Sequence, residues 1–375
     1  MSQDTPLRSR SGNRLPPSPK ASKPPGKKLR WGRLILIVVA VIILALASYA
    51  VYLYYGSWKP NLTKIAKQDD GQGTVEVKKG ERAQEKPIAL VLLGLDTRTE
   101  TGSMNTDVMM VAAFNPKTKT ATVVSIPRDS DLKLDGYKER KVNGYYAAFY
   151  SQGRKDTALE GDKATEYARG YARDETRQML SKFTGISIDY TAVIDFHGFV
   201  DVVDALGGVK VTVDKDMRYV DSVDDTNIDL KKGEQELNGE QALGFVRYRK
   251  SNRGTAASSD FERNERQNQV LGAITDRMKS FSSVTKVDSL LDALGNNMRT
   301  DIPSAQIENI IKTYLGINRS DIRFIPLTGT WKSPYVYLDE DKLAVAKKAL
   351  AEEMNPDGRP VAVPTSSPSA SADSK

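Results

Sequence analysis

The stretch ALVLLGLDTRTETGSMNTDVMMVAAFNPKTKTATVVSIPRDS, residues 89–130, decides the fold, because it contains three apolar runs separated by charged loops. The runs at 89–93 and 108–114 are continuously apolar and the run at 121–126 is mostly apolar, which predicts strands of a sheet that is covered on both faces. Asn-Pro between the last two runs is typical of a turn, so we expect these runs to form a hairpin. The stretch therefore predicts an α/β fold.

Charged side chains stand at the ends of these predicted strands. Asp96 and Arg98 follow the first run, Asp107 opens the second, and Arg128 and Asp129 follow the third. Ligands of α/β proteins usually bind at strand ends, so we predict a binding site there. Two carboxylates with open positions suit Mg²⁺, although two solvated loop aspartates would give the same spacing.

A second set of polar residues lies in basic segments further along the chain. Arg247 and Arg249 would point the same way if 245–249 is extended, as the pattern predicts. Arg263 and Gln267 are four residues apart on a helix predicted at 260–281, and Lys141 precedes a Val-Asn-Gly turn. Arginines that converge on one pocket would hold a diphosphate.

The same arginines also fit a solvated helix face. Asp260, Glu262 and Glu265 are close enough in sequence to neutralise Arg263 and Arg266 in surface ion pairs. From the residues alone, a salt-bridged surface and a phosphate site both remain open.

The rest of the domain alternates helical and extended patterns. A helix at 162–183, a strand at 188–194, a helix at 196–206 and a strand at 209–213 predict a βαβ unit. Further predicted elements are a short helix at 238–243, helices at 284–297, 304–315 and 339–353, and strands at 323–327 and 335–338.

The positive charge of the chain belongs to one end. The formal net charge is +7, but residues 1–33 hold nine Lys or Arg and one Asp, and the other 342 residues are nearly neutral. A nucleic-acid-binding domain needs a basic patch of its own, so we predict no nucleic-acid partner. With no Cys in the chain, a disulfide, a thiol nucleophile and a zinc–thiolate site are excluded.

Residues 34–55 form an uncharged run of 22 residues, LILIVVAVIILALASYAVYLYY. As a helix it would span about 33 Å, enough to cross a membrane. The basic flank predicts a single-pass signal anchor with residues 1–33 in the cytoplasm and the rest outside. The alternative is a signal peptide cleaved after Ala45-Leu46-Ala47.

Composition divides the chain into five predicted segments. Residues 1–33 form a disordered basic tail, 34–55 the transmembrane helix, 56–86 a linker, 87–353 one large domain, and 354–375 a disordered tail. We found no internal repeat.

Common catalytic and nucleotide-binding motifs are missing from the sequence. His197 is the only histidine, and no G-x-S-x-G turn accompanies it, so we interpret it as structural rather than catalytic. No Walker A motif occurs, and no G-x-G-x-x-G follows a strand, so nucleotide use has no support.

Six segments in order resemble the LytR–CpsA–Psr family of bacterial cell-envelope proteins. They are LLGLDTR, NTDVMMVAAFNPKTKTATVVSIPRDS, KVNGYYAAF, DFHGFVDVVDALGGVKV, LNGEQALGFVRYR and DFERNERQNQVL, spread over residues 87–281 behind the predicted anchor. The resemblance implies an α/β/α sandwich with a central mixed sheet. It also implies an extracytoplasmic phosphotransferase that moves a glycopolymer from a polyprenyl-pyrophosphate carrier to peptidoglycan through a phosphodiester.

The resemblance also assigns roles to residues. Asp96 and Asp107 correspond to ligands of Mg²⁺, with Mn²⁺ as an alternative metal. The pyrophosphate-binding set comprises Arg128, Lys141, Arg247, Arg249, Arg263 and Gln267. Arg128 is also expected to be catalytic, and Asp96 is the first candidate for the base, with Asp129 or solvent as alternatives. Many members carry Arg where this chain has Asn105, and Arg98 is a candidate substitute.

Two other functions remain open at this stage. A polyprenyl-pyrophosphate phosphatase would use the same pocket with water as the nucleophile. A non-enzymatic membrane protein could bind wall polymer or regulate transcription, but residues 1–33 show no helix-turn-helix pattern. The basic tail is better suited to contact anionic lipid at the membrane surface.

Overall fold

The structure is a computed structural model that describes residues 59–62, 76–96, 104–222, 226–279 and 284–358. No helix within these ranges is both long enough and apolar enough to cross a membrane. The predicted anchor at 34–55, the predicted tail at 1–33, residues 359–375 of the predicted tail at 354–375, and Arg98 lie outside the described residues.

Thirteen strands and eight main helices make up the described part of the chain. The strands are β1 (Ile88–Asp96), β2 (Asn105–Asn115), β3 (Thr120–Ser125), β4 (Ser130–Asp131), β5 (Tyr190–Asp195), β6 (Val209–Val213), β7 (Met217–Asp221), β8 (Thr226–Leu230), β9 (Gly233–Leu237), β10 (Met298–Thr300), β11 (Ile322–Pro326), β12 (Gly329–Lys332) and β13 (Tyr335–Leu338). The helices are α1 (Tyr145–Asp156), α2 (Gly161–Thr184), α3 (Phe196–Ala205), α4 (Gly239–Arg247), α5 (Asp260–Lys279), α6 (Val284–Asn297), α7 (Ser304–Tyr314) and α8 (Glu340–Glu353).

The central sheet has six strands in the order β10-β5-β1-β2-β3-β11. β2 is antiparallel to both β1 and β3, whereas β5 runs parallel to β1 and β11 runs parallel to β3. The predicted hairpin between the second and third apolar runs is therefore confirmed, and the sheet is mixed. Because β1 and β3 end where β2 begins, their charged flanking residues meet at one edge.

Helices cover both faces of this sheet. On one face, Val91 and Val111 pack in a buried cluster with Met179 and Phe183 of α2 and Leu350 of α8. On the other face, Leu90 and Met110 pack with Leu271 of α5, and the Phe114 ring lies 5.2 Å from the Tyr314 ring at the end of α7. The continuously apolar strands thus lie in the middle of three layers.

The predicted βαβ unit is wrong. β5 and α3 form as expected, but β6 pairs with β9 in a separate two-stranded sheet and does not join β5. Residues along β6 alternate between buried and exposed, which suits a strand with one solvated face. Val211 and Val213 pack in a second core that also contains Phe245 of α4 and Val270 of α5.

The extended segment predicted at 245–249 is also wrong, because α4 continues to Arg247. Asn238 and Gln241 form a reciprocal capping box at its start, and the apolar face continues through Phe245 and Val246, which are buried. The sequence analysis also missed α1 and the short strands β4, β7 to β10 and β12.

Candidate functional site

Asp107 is the extra residue of a β-bulge at the site edge of the sheet. Gly94 of β1 pairs with Val108 of β2, but the next residue of β1, Leu95, pairs with Thr106, so Asp107 has no partner across the ladder. A Cβ at Gly94 would come within 2.9 Å of the Val108 Cβ, so only glycine allows this approach. Bulges of this kind turn a side chain out of the regular pleat, often beside active sites.

Arg128 is held against Asp107. Its Nη1 donates to Asp107 Oδ1 at 2.6 Å, and each side chain is 20% exposed. Its backbone carbonyl accepts from the Asn143 amide at 3.0 Å, while the Thr106 hydroxyl donates to the Asn143 carbonyl. Arg128 Nε is buried and has no hydrogen-bond partner among the described residues. It is therefore a fixed donor that a bound anion could use.

Lys141 lies in the same region through Asp129. Its Nζ is 3.1 Å from Asp129 Oδ1, and the Asp129 side chain is 5% exposed. A backbone bridge between Lys141 and Asp131 fixes the approach of the two segments. The structure thus brings the predicted residues Asp107, Arg128 and Lys141 into one group.

Arg263 of α5 completes the group from the opposite side. Its side chain is buried, and burial lowers its pKa to about 10, assisted by the positive charges of Arg128 and Arg249 and opposed by Asp107 and Asp129. Arg249 itself is exposed, just after α4. At neutral pH Arg263 remains charged, so its positive charge adds to those of Arg128 and Arg249. Such a concentration of positive charge suits a polyanionic ligand.

The other two residues of the predicted phosphate set are Arg247 and Gln267. Arg247 ends α4, so it does not share a strand face with Arg249, and its guanidinium lies 4.4 Å from the centre of the Phe196 ring. Gln267 is half-buried one turn after Arg263 on α5.

Arg266 and Glu262 do not form the surface ion pairs within α5 that were considered as an alternative. Arg266 is buried and makes a bidentate pair with Asp214, at 2.7 Å and 2.9 Å, rather than bonding to a carboxylate of its own helix. Glu262 instead pairs with Lys215. Burial of α5's polar face argues against a simple solvated helix.

Two asparagines on α5 were missed by the sequence analysis. Asn264 and Asn268 are each 5% exposed, and the side-chain Nδ2 of each lacks a hydrogen-bond partner in the described structure. Asn268 Oδ1 accepts from the Ser125 hydroxyl at the end of β3. The only sequence signal was their spacing of four, beside Arg263 and Gln267.

A groove of about 590 Å³ lies against α3, β8 and α4. Its lining includes Phe196, His197, Asn227, Gln241 and Arg247. His197 is exposed, so it is not a histidine held in the core. The groove combines one aromatic ring with several amide and charged groups.

The carboxylates Asp96 and Asp107 are the candidate ligands for Mg²⁺. The structure places Asp107 beside the arginines, and the backbone of Asp96 pairs with Asn105, close to Asp107 in the ladder. The Asp96 side chain lies outside what the structure describes, and no cluster of three or more metal-binding side chains occurs among the described residues. Mg²⁺ commonly takes one or two carboxylates and completes its shell with water and substrate phosphates, so the residues fit this ion. Asn105, where many members of the resembling family have Arg, is exposed at the start of β2.

Comparison with proteins of known sequence and structure gives consistent results. The sequence is 29% identical to polyisoprenyl-teichoic acid–peptidoglycan teichoic acid transferase TagV of Bacillus subtilis (strain 168), over 88% of this chain and 80% of that protein. It is 31% identical to the TagU transferase of Bacillus cereus (strain ATCC 14579), over 88% of this chain and 96% of that one.

Solved structures share the fold. The crystal structure of B. subtilis TagV matches with a TM-score of 0.56 and 31% identity, covering 73% of this chain and 99% of that chain. The structure of TagT bound to LI-WTA matches with a TM-score of 0.54 and 26% identity, covering 77% and 98%. The LytR_cpsA_psr family profile matches residues 52–352, which is most of the chain. This chain therefore belongs to the LytR_cpsA_psr family.

Proposed function

We propose that this protein transfers a glycopolymer from a polyprenyl-pyrophosphate carrier to peptidoglycan and forms a phosphodiester link. The observation that carries the proposal is buried Arg263, which faces the charges of Arg128 and Arg249 at the edge of the sheet. Positive charges that converge at the edge of a sheet are typical of a site for a strongly anionic ligand. Relatives over most of the chain are named as teichoic acid transferases to peptidoglycan, which supports this reaction class.

The arginines bind the pyrophosphate and stabilise charge on it. Arg128 offers its buried Nε, and Arg263 and Arg249 approach from α5 and from the segment after α4. Donors fixed before the reaction stabilise the charge that develops on transferring and leaving phosphates without reorganising. Lys141, Arg247 and Gln267 extend the same surface.

The transfer step is a displacement at phosphorus. The oxygen of a peptidoglycan sugar hydroxyl attacks the phosphorus next to the glycan, and the bond from that phosphorus to the bridging oxygen breaks. Polyprenyl phosphate leaves, and the hydroxyl proton passes to a base. Asp129 is buried and paired with Lys141, and Asp96 would be engaged by the metal, so solvent is the favoured acceptor of that proton.

Mg²⁺ is part of the proposal. Asp107 and Asp96 would hold it, and when bound it would neutralise phosphate charge as a Lewis acid. Binding of Mn²⁺ as a spectroscopic substitute, followed by electron paramagnetic resonance, tests the site independently of turnover. Asp107→Ala should weaken Mn²⁺ binding, and unchanged binding would remove Asp107 from the site.

The polyprenyl chain is proposed to lie against the α5 side of the sheet. There Leu92, Val108, Leu271 and Phe324 are only partly buried around the Leu90 and Met110 cluster. Val108 directly follows Asp107, so this apolar surface begins next to the charged group. A polyprenyl pyrophosphate has an anionic head and a long apolar tail, so its binding site needs a cationic group next to an apolar surface.

Location follows from the sequence as part of the same proposal. We infer that residues 34–55 anchor the chain in the cell membrane, with residues 1–33 cytoplasmic and the catalytic domain at 87–353 outside. The anchor would hold the domain near its lipid-linked donor.

A product assay distinguishes transfer from hydrolysis. The full-length chain in detergent is incubated with a polyprenyl-pyrophosphate oligosaccharide and peptidoglycan oligomers, and products are followed by mass spectrometry. A glycan–phosphate–peptidoglycan adduct supports the proposal. Release of glycan phosphate without an adduct, in the presence of acceptor, would replace transfer by hydrolysis.

A further inference from the structure

The sequence WKSPYVYL, residues 331–338, forms a hairpin joined directly to the arginine loop. β12 pairs with β13, and β13 pairs in parallel with β4, which begins two residues after Arg128. Trp331 pairs with Val336, and Val336 pairs with Ser130. Because neighbouring strands lie about 4.8 Å apart, the Trp331 backbone is about 10 Å from Ser130. Paired residues project to the same face, so Trp331 shares the face of Ser130.

This attachment is rigid on the side of the site. The Val336 amide donates to the Asp129 carbonyl at 2.9 Å, and Val336 is buried. A Cβ at Gly329 would come within 2.1 Å of the Tyr337 carbonyl oxygen, so the two strands approach closely. The position of Trp331 is thus fixed relative to Arg128 and Asp129.

Trp331 is nevertheless 51% exposed. The Lys141 Nζ lies 5.3 Å from its ring centre and also pairs with Asp129 at 3.1 Å. Lys141, a member of the predicted phosphate-binding set, therefore contacts both the aromatic ring and Asp129. Because half of the Trp331 side chain is exposed, packing in the core does not explain an indole ring at this position, next to several cations.

We propose that Trp331 is a stacking platform for a sugar ring next to the transferred phosphate. This inference rests on the proposed function and adds a carbohydrate subsite to it. The C–H face of a pyranose packs on an aromatic ring, while Lys141 is placed to contact the phosphate or hydroxyl groups beside it. The sugar comes either from the lipid-linked donor or from the peptidoglycan acceptor.

Tryptophan fluorescence tests the platform directly. Trp31 and Trp58 are the only other tryptophans, and both lie outside the domain at 87–353. In the full-length chain with Trp31→Phe and Trp58→Phe, all tryptophan emission comes from Trp331. The probes are a polyprenyl-pyrophosphate disaccharide, a peptidoglycan oligomer, and farnesyl pyrophosphate, which has no sugar.

We expect an emission shift with one or both saccharides and none with farnesyl pyrophosphate. A shift with the donor alone assigns the platform to the donor sugar, and a shift with the oligomer alone assigns it to the acceptor. If farnesyl pyrophosphate binds by calorimetry but neither saccharide changes the emission, the platform is wrong and the proposed function stands. If the saccharides shift the emission but farnesyl pyrophosphate does not bind, the platform stands and the pyrophosphate site is wrong.

Kinetics give a second readout. Trp331→Ala should raise KM for the saccharide about tenfold with little change in kcat, and Trp331→Tyr should recover most of the loss. Tyr167 of α2 is 44% exposed, which makes Tyr167→Ala a matched control with unchanged KM. An unchanged KM in Trp331→Ala would overturn the proposal.

Discussion

Arg128 Nη1 and Asp107 Oδ1 are 2.6 Å apart, and this ion pair joins the loop after β3 to the bulge in β2. The two side chains are equally exposed, at 20% each. A pair at this depth retains access to a ligand while the surrounding backbone holds it in place. Arg128 is therefore positioned before substrate arrives, and Asp107 keeps an oxygen for another partner.

Arg128→Ala should reduce transfer by roughly a hundredfold or more, because a fixed donor to the phosphate is lost. The fold should remain, since the loop backbone is held by Asn143 and Val336. Steady-state transfer and thermal unfolding measure the two effects. Arg154→Ala removes an exposed arginine of α1 and is the control. Near-normal turnover by Arg128→Ala would remove this residue from the site.

Arg263→Met should stabilise the free protein while it abolishes transfer. Burial and two neighbouring guanidinium groups lower the pKa of Arg263 to about 10. A cation whose pKa is lowered in the folded state opposes folding fully below that pKa, and this penalty declines as pH rises from about 10 toward the ordinary pKa of arginine. At neutral pH the whole penalty is present, so removing the charge should raise the free energy of unfolding by about 1–3 kcal/mol.

Thermal unfolding with and without inorganic pyrophosphate checks this prediction. Pyrophosphate should raise the melting temperature of the wild-type protein more than that of Arg263→Met. A large loss of stability in Arg263→Met without ligand would mean that Arg263 supports the fold rather than a ligand.

The ion pair of Asp214 with Arg266, close to the site, should make the stability of the protein depend on pH in the acid range. Burial alone would raise the pKa of Asp214, but its hydrogen bonds and charge interaction with Arg266 outweigh this effect and lower the pKa. A lowered carboxylate pKa contributes stability that is present above pH about 4 and is lost as pH falls through the folded pKa. Arg266 also donates to the Tyr248 carbonyl, next to Arg249.

Asp214→Ala should lower the free energy of unfolding by about 1–3 kcal/mol, because it leaves Arg266 buried without its carboxylate, although water screens the 39% exposed Asp214 side chain. The variant should also lose less stability than the wild type between pH 5 and pH 3. Chemical denaturation at several pH values measures both effects. Asp229→Ala, at an exposed carboxylate, is the control. Equal acid sensitivity in Asp214→Ala and the wild type would contradict the assignment.

Asp301 lies outside the site, and we expect it to stabilise the fold through buried ion pairs. Its Oδ1 accepts from the Thr191 amide at 2.6 Å, and Arg173 and Arg177 of α2 both pair with its other oxygen. Asp301→Ala should destabilise the domain by about 3–5 kcal/mol, since it leaves buried Arg173 short of a negative partner. Asp174→Ala, at a half-exposed carboxylate, should cost far less. Similar unfolding midpoints for the two variants would contradict this role.

The sequence predicted the core of the sheet because strands buried on both faces leave continuous apolar runs, as at 89–93 and 108–114. It failed for β6, where alternation marks a strand but does not say which strand it joins. The prediction for Arg247 failed because the predicted helix ended at residue 243, whereas α4 continues through the buried Phe245 and Val246 to Arg247. Pairing choices of this kind depend on tertiary packing.

The site residues were predicted in part for the same reason. Asp107 and Arg128 flank predicted strands, so their meeting at one edge followed from the hairpin. The bulge that leaves Asp107 unpaired and the burial of Arg263 depend on contacts over long sequence distances. Trp331 could not be placed from sequence, because β4, with only two residues, carries no pattern that predicts its partner β13.

The most direct test of the account is the Mg²⁺-dependent transfer reaction of the full-length chain, with Asp107→Ala as the variant. A polyprenyl-pyrophosphate oligosaccharide, peptidoglycan oligomers and Mg²⁺ are combined, and products are followed by mass spectrometry. The account predicts a glycan–phosphate–peptidoglycan adduct that disappears without Mg²⁺ and in Asp107→Ala. Adduct formation at the wild-type rate by Asp107→Ala, or no consumption of the lipid by the wild-type chain, would contradict it.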